Sequence, residues 1–163
     1  ALFFSRNAKL GDEFNRLFNS IFDQAEECME IIRILGKRHA GYTRQELAEK
    51  AKMNANGGFT KLLKALIGSD FIIKYVPFGA SNREEHYKLK DSFCWFWLHF
   101  KEDKDIKQED YWQHHLKESE ITAWRDIAFE EVCLQHIRQI KQALQIGGIS
   151  SMESAPDFVT FWE

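Results

Sequence analysis

The stretch from Tyr42 to Lys90, YTRQELAEKAKMNANGGFTKLLKALIGSDFIIKYVPFGASNREEHYKLK, decides the fold. Thr43 followed by Glu46 forms a capping box, in which each side chain satisfies a backbone donor that a helix start otherwise leaves orphaned. Leu47, Ala48 and Ala51 then supply the buried side of a short helix. Asn54-Ala55-Asn56-Gly57-Gly58 is the turn, whose glycines are expected to permit positive φ and a steep approach of two helices. A second helix, from about Phe59 to Ser69, buries Phe59, Leu62, Leu63, Leu66 and Ile67 and projects Thr60, Lys61 and Lys64. Phe71 to Val76 is β-branched and aromatic, Pro77 to Asn82 is turn-rich, and Glu84 to Leu89 returns as a partner strand. Helix, turn, helix and hairpin in that order predict a winged helix-turn-helix, mainly α with a small β-hairpin and flanked by further helices.

Such a module has no chemistry of its own and presents one helix and one hairpin to a partner, most often a DNA duplex. Charge is distributed in keeping with that. Residues 1–39 carry 6 basic and 6 acidic side chains, residues 40–90 carry 9 and 5, and residues 91–163 carry 7 and 14. A basic module in a chain of net charge -3 fits polyanion contact by that module alone, and it equally fits an ordinary solvated surface. The exposed face of the second helix is short of the Arg, Asn and Gln that pair with base edges, so phosphate contact is favoured over sequence reading. The expected contacts are Thr60, Lys61 and Lys64, with Arg83 near the hairpin tip reaching a minor groove or a phosphate. Glu84 and Glu85 beside Arg83 weaken the local field.

Upstream, Leu10, Phe14, Leu17, Phe18, Ile21 and Phe22 form one apolar stripe on a helix, expected to pack on the next helices or against a domain missing from the chain. A helix from Glu26 to Lys37 faces Cys28, Ile31, Ile32 and Leu35 inward and ends in Lys37-Arg38-His39 before Gly41. Downstream, Asp91 is an N-cap for Phe93 to Phe100, a run apolar on almost every side that reads as a buried strut. Lys101 to Asp110 reads as a solvated linker. A long helix from Glu120 to Leu144 is expected to turn Trp124, Ala128, Phe129, Val132, Cys133, His136, Ile137, Ile140 and Leu144 inward and to end at Gly147-Gly148. The tail from Ile149 to Glu163 mixes apolar residues with Ser, Pro156 and Asp157.

At 163 residues with 44% hydrophobic and 29% charged content, the chain can bury a real core. No apolar run approaches the roughly 20 residues needed to cross a bilayer, and Ala1 to Arg6 lack the pattern of a signal peptide, so a soluble cytoplasmic protein with no membrane partner is expected. Cys28, Cys94 and Cys133 are odd in number and widely spaced, which predicts buried reduced thiols. There is no GxxxxGK[ST] loop, no HExxH and no GxSxG, so no catalytic residue is assigned. Adjacent His114 and His115 point about 100° apart on a helix and share no ligand face. His136 is expected as a satisfied core histidine, and Glu130 and Glu131 as solvent-facing.

An ordered set of signatures supports a resemblance. Leu2-Phe3-Phe4, Glu13-Phe14, Leu17 to Phe22, Gly41-Tyr42-Thr43-Arg44, Gly57-Gly58-Phe59-Thr60, Phe71-Ile72, Pro77-Phe78-Gly79, Tyr87 to Asp91 and Ala128 to Ile137 together resemble the C-terminal part of the prokaryotic archaeal-type AAA-like ATPases. The resemblance implies a P-loop ATPase domain, a winged helix and then a restriction-endonuclease-like domain. Residues 1–25 would be the helix leaving a missing ATPase domain, 26–91 the winged helix, and 92–163 the helical opening of a truncated nuclease-like domain. Phe129-Glu130 falls on that domain's Phe-Glu motif, where Glu130 would be a single metal ligand with the others supplied by later strands. ATP and Mg are implied for the intact parent, and no cofactor or enzymatic activity for this fragment. The expected function is noncatalytic DNA binding, with the missing ATPase domain as a further partner. The alternative is a protein-interaction or interdomain scaffold module that holds no nucleic acid.

Overall fold

Phe14, Phe18 and Phe22 recur at helical spacing and all are buried, the first two on α1 (Glu13–Ile21) and the third as its C-cap. The computed structural model describes Phe4, Leu10, residues 12–77, residues 84–102, Ile106 and residues 110–145. The α1 stripe packs on elements later in the chain: the Phe18 ring lies 4.8 Å from that of Phe71, and Phe14 stacks on Trp97 at 5.7 Å. α2 (Ala25–Leu35) buries Cys28, Met29, Ile31, Ile32, Ile34 and Leu35, so apolar side chains cover most of its circumference and it runs through the core.

Gly41 leads into β1 (Tyr42–Thr43) with φ +69°, and a Cβ there would lie 1.9 Å from the Tyr87 carbonyl oxygen, so only glycine fits. The predicted capping box is present. Thr43 Oγ1 accepts from the Glu46 N–H, the Glu46 carboxylate accepts from the Thr43 N–H at 2.8 Å, and α3 (Arg44–Lys50) comes next. α4 (Gly57–Gly68) starts earlier than expected because Asn56 caps it, accepting from Gly58 and Phe59 N–H. Gly57 and Gly58 are therefore its first helical turn rather than positive-φ positions, and the left-handed residue in this connection is Lys52.

β2 (Ile72–Tyr75) and β3 (His86–Leu89) pair antiparallel, Ile72 opposite Leu89 and Tyr75 opposite His86. β1 also pairs with β3, Tyr42 opposite Tyr87, so the expected hairpin is two strands of a three-stranded antiparallel sheet in the order β1-β3-β2. A strand of two residues is too short to show alternation, which is why its sequence carries no strand signal. The hairpin tip from Phe78 to Arg83 lies outside the described residues.

Asp91 accepts from the Cys94 N–H at 2.7 Å and caps α5 (Ser92–Trp97), which passes into a π turn at Leu98–Glu102. Cys94, Trp97, Leu98 and Phe100 are buried, but Phe93, Trp95, Phe96 and His99 only half so, and the strut is less enclosed than its composition suggests. α6 (Tyr111–His115), α7 (Ser119–Gln135) and α8 (Ile137–Ala143) complete the described chain. One apolar cluster joins α1 to α4, the sheet and α5, and a second gathers Phe4, Phe100, Tyr111 and Ile121 with Trp112 and Trp124 against them.

The C-terminal helix departs from expectation. It is broken at His136, which is exposed and not a core histidine. Its expected inner face is turned outward at Phe129 (71% exposed), Val132 (46%) and Leu144 (63%), while Ile121 and Glu131 are the buried positions of α7. The orientation is set by an ion pair between Glu131 and Lys88 rather than by the apolar stripe. Among the described residues no helix is long and apolar enough to cross a membrane, Cys28 and Cys94 are buried free thiols, and Cys133 is half-buried. Most of the expected linker before Asp110, Gly147-Gly148 and the tail from Ile149 lie outside the described residues.

Candidate nucleic-acid interface

Phe59, Leu62, Leu63 and Leu66 take the core side of α4, and helical spacing therefore turns Lys61 and Lys64 to solvent on the opposite side. Both lysines are exposed, and among the described residues neither is engaged in an ion pair. Three positions apart, they are neighbours on one helix face.

Thr60 is placed differently. Its hydroxyl accepts from Arg44 Nη2 at 2.8 Å and donates to the Asn56 carbonyl at 3.1 Å, so it is occupied within the fold and half-buried. Arg44 also donates to the Asn56 carbonyl at 3.2 Å, and its guanidinium lies 5.7 Å over the Phe59 ring. These contacts hold a cation beside the first turn of α4, next to Lys61. Sequence reasoning missed Arg44 because its partners lie on another helix, and no local pattern encodes them. Arg83 lies outside the described residues.

The remaining cations of the basic segment are mostly engaged. Lys74 meets Glu85 at 2.6 Å, and that hydrogen bond holds its ammonium above the ordinary value. Lys90 meets Asp70 at 2.8 Å, and Lys50 lies 5.2 Å over the Tyr42 ring. Lys88, 3% exposed, is bonded to Glu131, which also accepts from His39 Nε2 at 2.8 Å. The positive surface of the segment is thus concentrated on α4 and its N-terminal edge.

Glu131 corrects a further expectation, since it is buried rather than solvent-facing. Burial pushes its carboxyl up, but the His39 hydrogen bond and the Lys88 ammonium outweigh that and hold it below the usual carboxylate range. Glu130 is half-buried, and its Oε1 is enclosed without a hydrogen-bond partner. Among the described residues no group of three His, Cys, Asp or Glu is placed to hold a metal ion. His115 stacks on Tyr111 at 4.3 Å and meets Glu118 at 2.6 Å, while His114 turns to Asp110, so the two histidines point to different partners. No protein-family model matches the chain, and no curated protein or solved structure matches it.

Proposed function

We propose that residues 26–91 act as a winged helix that binds duplex DNA through its phosphates with little sequence preference. The order helix, strand, helix, helix, strand, strand and the β1-β3-β2 sheet support that reading of the fold. The observation that carries the function is the pair of exposed ammonium groups on α4, Lys61 and Lys64, with Arg44 anchored beside them. Three cations on one ledge suit a sugar-phosphate backbone, and the absence of Arg, Asn and Gln from the exposed face of α4 disfavours base reading. In an intact parent of the resembled ATPase family the module would sit between the nucleotide-hydrolysing domain, which uses ATP and Mg, and a nuclease-like domain to which Glu130 would contribute one carboxylate.

A second reading is favoured by the Glu131–Lys88 contact: the sheet serves as a scaffold on which the C-terminal helices seat, and nucleic acid is not its partner. Titration of a random duplex at about 50 mM and about 200 mM salt separates the two. Phosphate binding predicts affinity at low salt that falls steeply at high salt. The scaffold reading predicts no binding at either.

A further inference from the structure

α7 meets the sheet through charge where packed helices ordinarily meet through apolar side chains. In β3, Leu89 and Tyr87 join the first core, and alternation puts Lys88 on the other face of the sheet. There the Lys88 ammonium and the His39 imidazole converge on one oxygen of Glu131, the residues being 3%, 13% and 10% exposed in their side chains. Gln135, one turn further along α7, donates to the Lys90 carbonyl at 3.2 Å. We propose that the C-terminal half of α7 is a detachable arm, latched to the outer face of the sheet by Glu131 and pivoting on the aromatic cluster around Ile121.

Three observations support the latch. The seat is under-filled: a cavity of about 400 Å³ lies between α7 and the end of α2 beside His39, Trp95 and Trp124, and another of about 240 Å³ beside Leu89, Ala128 and Val132. Permanent interiors leave few voids larger than a water molecule. The first core is complete without α7, since every residue in it precedes Phe100. A buried ion pair also holds poorly as a graded contact: it contributes little over an apolar pair of the same shape, yet losing one partner strands the other charge. Such a contact is either closed or fully re-solvated, which makes a two-position element. The pivot is separate from the latch, because Ile121 and Trp124 belong to the second cluster. Release would uncover Lys88 and free a helix that already presents Phe129 and Val132 to solvent. The latch is independent of nucleic-acid binding.

Hydrogen exchange by mass spectrometry on the whole chain tests it, comparing the wild type, Glu131→Gln and the paired apolar replacement Lys88→Met/Glu131→Leu. Glu131→Gln is expected to accelerate exchange of residues 127–135 about tenfold or more with α2 and α4 unchanged, and the paired replacement to return it to wild-type rates. Equal acceleration in α2 and α4, or no change in α7, overturns the latch. Should Glu131→Gln fail to fold, the wild type decides: residues 127–135 exchanging as slowly as α2 would show that the arm does not open on its own.

Discussion

Arg44 Nη2 stands 2.8 Å from Thr60 Oγ1, so the first residue of α3 is tied to the first turn of α4 through one charge-assisted bond. The angle at which α4 presents Lys61 and Lys64 depends on that tie. Arg44→Ala and Thr60→Val should each lower stability by about 1 kcal/mol, with the double variant little worse than either single one. Urea unfolding of the four proteins checks the cycle, and fully additive losses would mean that the bond carries no energy.

Gly41 combines a φ of +69° with a position where a Cβ would meet the Tyr87 carbonyl at 1.9 Å. Gly41→Ala is therefore expected to cost roughly 2–4 kcal/mol, from left-handed strain and a clash with backbone that belongs to the central strand. Thermal unfolding should show it, and a near-neutral variant would mean that β1 does not lie against β3.

Glu131 gives α7 a pH dependence of definite sign. Its carboxyl is held below the ordinary value of 4.5 in the folded chain, so the unfolded chain binds the proton more readily. Its contribution is fully present above the ordinary value and is lost as pH falls through the folded one. Protection of residues 127–135, corrected for intrinsic exchange, should hold from about pH 7 to about pH 5 and decline below about pH 4.5. Glu131→Gln should lack that decline. A loss that begins near neutrality would place the controlling group elsewhere.

The thiols should react in a fixed order. Cys28 and Cys94 are 1% and 0% exposed, and burial pushes the Cys28 thiol up to about 11 and the Cys94 thiol higher still. Cys133 is half-buried on α7. Alkylation near pH 8 should modify Cys133 first, with Cys28 and Cys94 following only as the first core unfolds. Early labelling of Cys94 would contradict the packing of α5.

What could be read from sequence was local. The Thr43–Glu46 box and the Asp91 cap are set by residues within four positions of one another, and the α1 stripe and the core side of α4 follow from helical spacing alone. The facing of α7 was not legible because two stripes compete on it. Phe129, Val132 and His136 form one; Ile121, Trp124, Ala128 and Glu131 form the other, and it is the second that turns inward. The choice is made by Lys88, 43 positions away, together with His39. Of the candidate site, Lys61 and Lys64 were legible as the leftover face of an apolar helix. Arg44 and the engagement of Thr60 were not, since both depend on how α3 lies against α4.

The most direct test of the DNA-contact account is the salt dependence of binding to a random duplex by the wild type and by Lys61→Ala/Lys64→Ala. If each ammonium neutralises a phosphate, the double variant binds every sequence more weakly, and the slope of log affinity against log salt flattens by about two units. A wild-type protein with no measurable duplex affinity at about 50 mM salt, or a double variant with an unchanged slope, would contradict it.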